Sequence, residues 1–168
     1  MPIAVQAKLS NLLKLFSVLS PLLLVFFMVM LSLFNQDIKG MVYLAGVLIA
    51  CVINIIVATQ VGNQPNPNAS VICGVFSLPG APPYNNPCAS SVLIAFTIAY
   101  LLLPMRFNNN MNYVVLIALL CLFGLDAYTK IDSLCTPPAG TVLGGLLGFG
   151  LGSSMGSSRK SGGFRRRR

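Results

Sequence analysis

The chain has 168 residues and a net charge of +8, with 55% apolar residues, 8% charged residues and a mean hydropathy of +0.80. A soluble domain carries about 25% charged residues to cover its surface, so this composition excludes a water-soluble globule and points to a membrane protein. With three acids, all Asp, and no His, histidine chemistry is excluded, and no Cys-x-x-Cys or Cys/His pattern offers a metal site. The reading is a single all-α transmembrane helical domain over residues 1–155, a bundle of about five spans with an N-terminal amphipathic helix, followed by a basic tail over 156–168.

Residues 3–19 come first. Val5, Leu9, Leu12, Leu13, Phe16 and Leu19 recur at helical spacing, with Gln6, Ser10, Lys14 and Ser17 on another face. Such a helix suits the headgroup region; the same pattern also suits the first turns of one long tilted span. Pro21 starts or kinks the first span, placed at about 15–34, since a crossing needs ~20 apolar residues at ~1.5 Å each. The polar run Asn35 to Gly40 reads as a tight turn. The second span is placed at 41–59, with Tyr43 as an interfacial anchor.

Residues 62–88 change character. GNQPNPNAS and PGAPPYNNP cannot sustain a helix, so this is the longest extramembrane loop, and it holds the glycosylation sequon Asn68-Ala69-Ser70. Spans at 89–105 and 112–128 follow, the latter bounded by Tyr113 and Tyr128. Asp126, Lys130 and Asp132 bracket its end. An intramembrane carboxylate is a functional candidate, but the spacing of Asp126 to Lys130 favours a local ion pair at the helix end.

The fifth span, 138–155, carries Gly140, Gly144, Gly148 and Gly152 at strict intervals of four. Small residues at that spacing make a groove into which another helix backbone can settle. Cys51 and Cys121 lie in apolar runs, whereas Cys73, Cys88 and Cys135 lie in loops, where two of the three can pair. The tail concentrates positive charge in Arg159, Lys160, Arg165, Arg166, Arg167 and Arg168. Such a tail binds a polyanion, whether nucleic acid, anionic lipid or an acidic protein surface, or it simply marks the inner side of the membrane. An inner C-terminus puts Arg106 inside and the 62–88 and 129–137 loops outside.

Pro87-Cys88-Ala89-Ser90-Ser91 opens the third span, and Thr129-Lys130 with Cys135-Thr136-Pro137-Pro138-Ala139-Gly140 leads into the Gly-rich fifth. In arrangement this resembles the type 2 phosphatidic acid phosphatase superfamily. In that family P-S-G-H opens one span and S-R-x5-H-x3-D leads into another. The resemblance implies a vestigial phosphate site at Ser90, Thr129, Lys130 and Thr136. The family's two histidines fall on Ser90 and Thr136, its Asp on Gly140, and its upstream K-x6-R-P has no counterpart. Phosphohistidine catalysis is therefore chemically impossible, and no neighbour of Ser90 along the chain can take its proton.

The expected function is accordingly non-enzymatic, with no cofactor. Short length, Asn/Pro-rich loops and basic ends resemble structural membrane proteins of large icosahedral DNA viruses with an internal membrane. That resemblance implies a virion-membrane or minor capsid component that anchors a bilayer to a protein shell. Its partners would be the bilayer, other proteins of the assembly and, through the tail, a polyanion. The alternatives are a lipid-phosphate binder or phosphatase-like protein and a channel or transporter subunit.

Overall fold

The structure, a computed structural model, describes residues 9–34, 39–61 and 86–163. Five helices account for nearly all of them: α1 (Leu9–Phe34), α2 (Lys39–Val61), α3 (Ala89–Phe107), α4 (Tyr113–Asp132) and α5 (Pro138–Gly163). Three segments are long and apolar enough to cross a membrane: Gly40–Val61, Ala89–Phe107 and Tyr113–Asp132. Leu19–Phe34 is a shorter apolar stretch, and α5 is diluted by Gly and Ser. Residues 3–8, most of the 62–88 loop with its Asn68 sequon, and Arg165 to Arg168 lie outside the described residues.

From Leu9 to Phe34 the chain is one continuous helix, so the amphipathic turns lead directly into the apolar stretch. Pro21 sits inside it and is buried. A proline supplies no N–H to the carbonyl four residues back, here that of Ser17. Ser20 repairs the loss: its Oγ donates to the Ser17 carbonyl at 2.9 Å. In an apolar surround an unsatisfied carbonyl is costly, and this hydroxyl lets the helix run through the proline.

The α1–α2 hairpin closes where the Gly40 N–H donates to Ser32 Oγ at 2.8 Å. Next to it Tyr43 corrects the sequence reading, because it is fully buried in the core rather than placed at an interface. Its ring lies 5.9 Å from that of Phe96 and 5.3 Å from that of Tyr100. Its hydroxyl meets Thr97 Oγ1 at 2.8 Å, while Thr97 itself donates to the Leu93 carbonyl. A tyrosine whose O–H finds a partner can be buried whole.

α3 is the hub, buried from Ser90 to Tyr100. Its most extensive partner is α5, which runs parallel to it: Gly144 faces Cys88, Gly148 faces Val92, and Gly152 faces Phe96. A Cβ on Gly144 would stand 2.8 Å from the Cys88 carbonyl oxygen, and one on Gly152 would stand 2.5 Å from that of Phe96. At Gly148 a Cβ would run into the Val92 backbone. Gly140 faces the Asn86 amide, and its carbonyl accepts the Cys88 N–H at 3.1 Å, tying the starts of the two helices together. The α5 helix passes Met155, where the sequence places the tail boundary, and continues to Gly163.

α4 packs differently. Asp126 is its one buried residue, and Tyr113 and Tyr128 are both exposed at its two ends. Asn112 caps its start, its side-chain oxygen accepting from the Val115 N–H at 3.4 Å. A helix that buries a single carboxylate and leaves its apolar face outward is suited to lipid, which is as apolar as the side chains it meets.

Candidate functional site

The antiparallel and parallel pairings gather five segments at one end of the bundle. These are the first half of α1, the close of α2, the starts of α3 and α5, and the close of α4. Between them lies a compact set of buried polar side chains. Ser90, at the second position of α3, donates through Oγ to Asp126 Oδ2 at 2.6 Å. Lys130, one turn beyond Asp126 on α4, donates from Nζ to Ser90 Oγ and to Cys88 Sγ at 3.4 Å. It faces Asp126 Oδ1 as an ion pair at 4.0 Å. Cys88 Sγ lies 3.3 Å from Ser90 Oγ, which closes the set.

Each position has a local reason. Cys88 is the N-cap of α3, and its extended backbone turns the chain into the helix. Asp126 and Lys130 share one face of α4, as residues four apart do. A second link lies just beside them. Ser17 and Thr129 hydroxyls meet at 2.5 Å, and Thr129 also donates back to the Leu125 carbonyl at 2.9 Å. The Ser17 to Thr129 and Ser90 to Asp126 contacts hold the close of α4 to α1 and α3.

Of the four residues implied by the phosphatase resemblance, the structure brings Ser90 and Lys130 into direct contact. Thr129 turns instead toward Ser17, and Thr136 is buried beside Gly140. Along the sequence nothing near Ser90 can take its proton; the fold brings it the Asp126 carboxylate, 36 residues away. For Asp126 the sequence favours a local pair with Lys130 over a functional intramembrane carboxylate. The local pair exists, but the carboxylate's short hydrogen bond crosses to another helix.

Cys88 is buried and free, and so are Cys51 and Cys121 unpaired, whereas Cys135 is disulfide-bonded. The candidate pairing set of Cys73, Cys88 and Cys135 therefore loses Cys88. Burial pushes the Cys88 thiol up, but the Lys130 ammonium and the Ser90 hydroxyl favour the thiolate more strongly, and it lies below its ordinary value. Cys88 and Ser17 were outside the sequence-based site. Cys88 had a signal, its place two residues before Ser90 at the opening of a span; Ser17 had none, because only the fold brings α1 against α4.

A hydroxyl beside a lysine is the arrangement of a nucleophile and its base. Here the Lys130 Nζ is already engaged, donating to Ser90 Oγ and Cys88 Sγ and facing Asp126. Ser90 and Asp126 are fully buried, and the Lys130 side chain is 13% exposed. Three Cys, Asp or Glu side chains in metal-binding proximity do not occur among the described residues. Arg159 and Lys160 lie on α5 at the opposite end of the bundle, on the side of Arg106. Comparison of the chain with protein-family models, curated proteins and solved structures gives no match.

Proposed function

We propose that the chain is a non-enzymatic, polytopic membrane protein. All five helices cross the bilayer, and the protein anchors that bilayer to a larger protein assembly, of the kind found at a virion internal membrane or as a minor capsid component. The observation that carries the non-enzymatic reading is the sealed Ser90–Asp126–Lys130 cluster. Its hydroxyl has no open face and is bonded to the Asp126 carboxyl. A hydroxyl buried in this way is placed to hold helices together rather than to meet a substrate.

Five crossings are supported by neighbours. α5, though rich in Gly, lies along α3 through most of the latter's length, and α3 is itself long and apolar enough to span. α1 is the antiparallel partner of α2 and reaches α4 at its far end. Two independent signals agree on orientation. Arg106, Arg159 and Lys160 share one end, the inner one by the positive-inside rule. The Cys135 disulfide lies at the other, where an oxidising environment keeps it.

On this reading the tail binds a polyanion or an acidic protein partner on the inner side, and the long 62–88 loop meets protein on the outer one. Crosslinking in the native membrane, followed by identification of the neighbours, tests it. Recurrent protein neighbours at Arg159–Arg168 and at the 62–88 loop support anchoring. A chain that crosslinks to lipid alone contradicts it.

A further inference from the structure

A groove of about 250 Å³ runs between α1 and α4, beside the buried cluster, with Ser17 and Thr129 in its wall next to Asp126. It is graded along its length. At the mouth stand Lys14 and Asp132, an ion pair at 3.3 Å whose side chains are 32% and 51% exposed. Phe16 follows just inside on α1, and along α4 the wall is Leu125 and then Leu122, about 10 and 15 Å from Asp132 by the helical rise. The floor hydroxyls of Ser17 and Ser20 are already committed, the first to Thr129 and the second to the Ser17 carbonyl. The depth of the groove therefore asks nothing polar of an occupant, while its mouth offers one cation and one anion.

We infer that this groove binds a zwitterionic glycerophospholipid, with its phosphate on Lys14, its ammonium on Asp132 and the start of one acyl chain along Leu125. Charge complementarity chooses the headgroup. An anionic lipid would satisfy Lys14 and leave Asp132 facing negative charge; an uncharged one would leave the ion pair as it is. A zwitterion replaces each partner of the pair with an opposite charge of its own, and the pair is exposed enough for its opening to be cheap. Tyr128, exposed beside the mouth, stands at the level where amphipathic rings meet headgroups. The inference rests on the bilayer reading of the chain and is independent of the anchoring role.

The test uses the purified full chain in a neutral detergent, titrated with phosphatidylethanolamine, phosphatidylglycerol, diacylglycerol and free phosphoethanolamine. Retention is read by native mass spectrometry and by the shift in melting temperature. Phosphatidylethanolamine is expected to be retained several-fold over phosphatidylglycerol and diacylglycerol, and to raise the melting temperature most. Asp132→Asn should erase the preference over phosphatidylglycerol, and Lys14→Gln should weaken both phospholipids. Leu125→Trp should block retention whatever the headgroup. Lys14 and Asp132 are exposed enough that their variants fold, so the result stands even if Leu125→Trp does not. Equal retention of the two phospholipids by the native chain would overturn the inference. So would an unchanged preference in Asp132→Asn, or binding of phosphoethanolamine as strong as that of the lipid. None of these outcomes bears on whether the chain spans the membrane or on what its tail binds.

Discussion

Ser90 on α3 donates a hydrogen bond of 2.6 Å to the buried carboxylate of Asp126 on α4, which is otherwise the least embedded helix of the bundle. Among the described residues this contact and its Lys130 companion are the deepest polar attachment α4 has. Removing the hydroxyl leaves the carboxylate short of a partner, and a buried acceptor so exposed costs about 1–3 kcal/mol. Ser90→Ala should therefore lower the melting temperature in detergent. Asp126→Asn should cost more, about 3–5 kcal/mol, because it removes one charged member of a buried pair. Asp126→Asn combined with Lys130→Met should recover part of that loss. Strictly additive losses in a thermal-melt double-mutant cycle would mean the pair is not coupled.

The α3–α5 contact predicts a contrast between two glycines on one helix. A side chain on Gly148 meets the Val92 backbone, and backbone cannot step aside; a side chain on Gly150 meets nothing within 4 Å. Gly148→Leu should destabilise by at least the ~1–3 kcal/mol typical of overpacking. Gly150→Ala should be neutral or stabilising by about 0.5–1 kcal/mol through helix propensity. Equal melting temperatures for the two variants would place the helices farther apart than described.

Much of this architecture is legible in the sequence, and the reasons are local. Apolar runs broken at Asn35 to Gly40 and by the Pro- and Asn-rich stretch after Val61 announce helices, some long enough to cross a membrane. The four-residue spacing of Gly140, Gly144, Gly148 and Gly152 announces a face for close approach, though not which helix takes it. What escapes is long-range. Tyr43 looks like an anchor because its ring is aromatic and near a span end; only Phe96, Thr97 and Tyr100, more than fifty residues on, make it a core residue. Asp126 looks locally paired because Lys130 is four residues away, while Ser90 is visible as its partner only once α3 and α4 are packed.

The Tyr43 hydroxyl gives a further check. Tyr43→Phe keeps the aromatic cluster and removes the bond to Thr97, which still donates to the Leu93 carbonyl. The expected cost is small, about 0.5–1.5 kcal/mol. Tyr43→Ala should cost about 3–5 kcal/mol, as large-to-small changes in a core do. Similar melting temperatures for Tyr43→Ala and the native chain would return this residue to the surface.

Cys88 carries the pH dependence. Its thiol lies below its ordinary value in the folded chain, so between the folded and unfolded values the unfolded state holds more protons. Stability should then rise with pH as neutral solution is brought toward the ordinary thiol range, and fall back as pH drops through the folded value. Thermal melts from pH 6 up to 9, just past a free thiol's value of about 8.5, should show this rise in the native chain. Cys88→Ser should flatten it. An identical slope in both would assign the dependence elsewhere.

The tail should bind nucleic acid through charge alone. Counterion release lowers log affinity by about 0.9 per neutralised phosphate per tenfold rise in salt, so Arg159, Lys160 and Arg165 to Arg168 predict a slope of about −5 or shallower on duplex DNA. No preference for base sequence should appear. Deleting residues 164–168 should remove about two-thirds of the slope, given four of the six charges lost. Salt-insensitive binding to both DNA and anionic liposomes would exclude the polyanion arm and leave an acidic protein pocket, in which arginine outperforms lysine.

The central claim is that the Ser90 cluster joins helices and does no chemistry, and release of phosphate from phosphatidic acid tests it most directly. Purified native chain and Ser90→Ala, assayed side by side in detergent, should both give the rate of the detergent blank. Turnover by the native chain that disappears in a Ser90→Ala variant still folded at the assay temperature would be the contrary result, because it would make Ser90 a nucleophile rather than a latch.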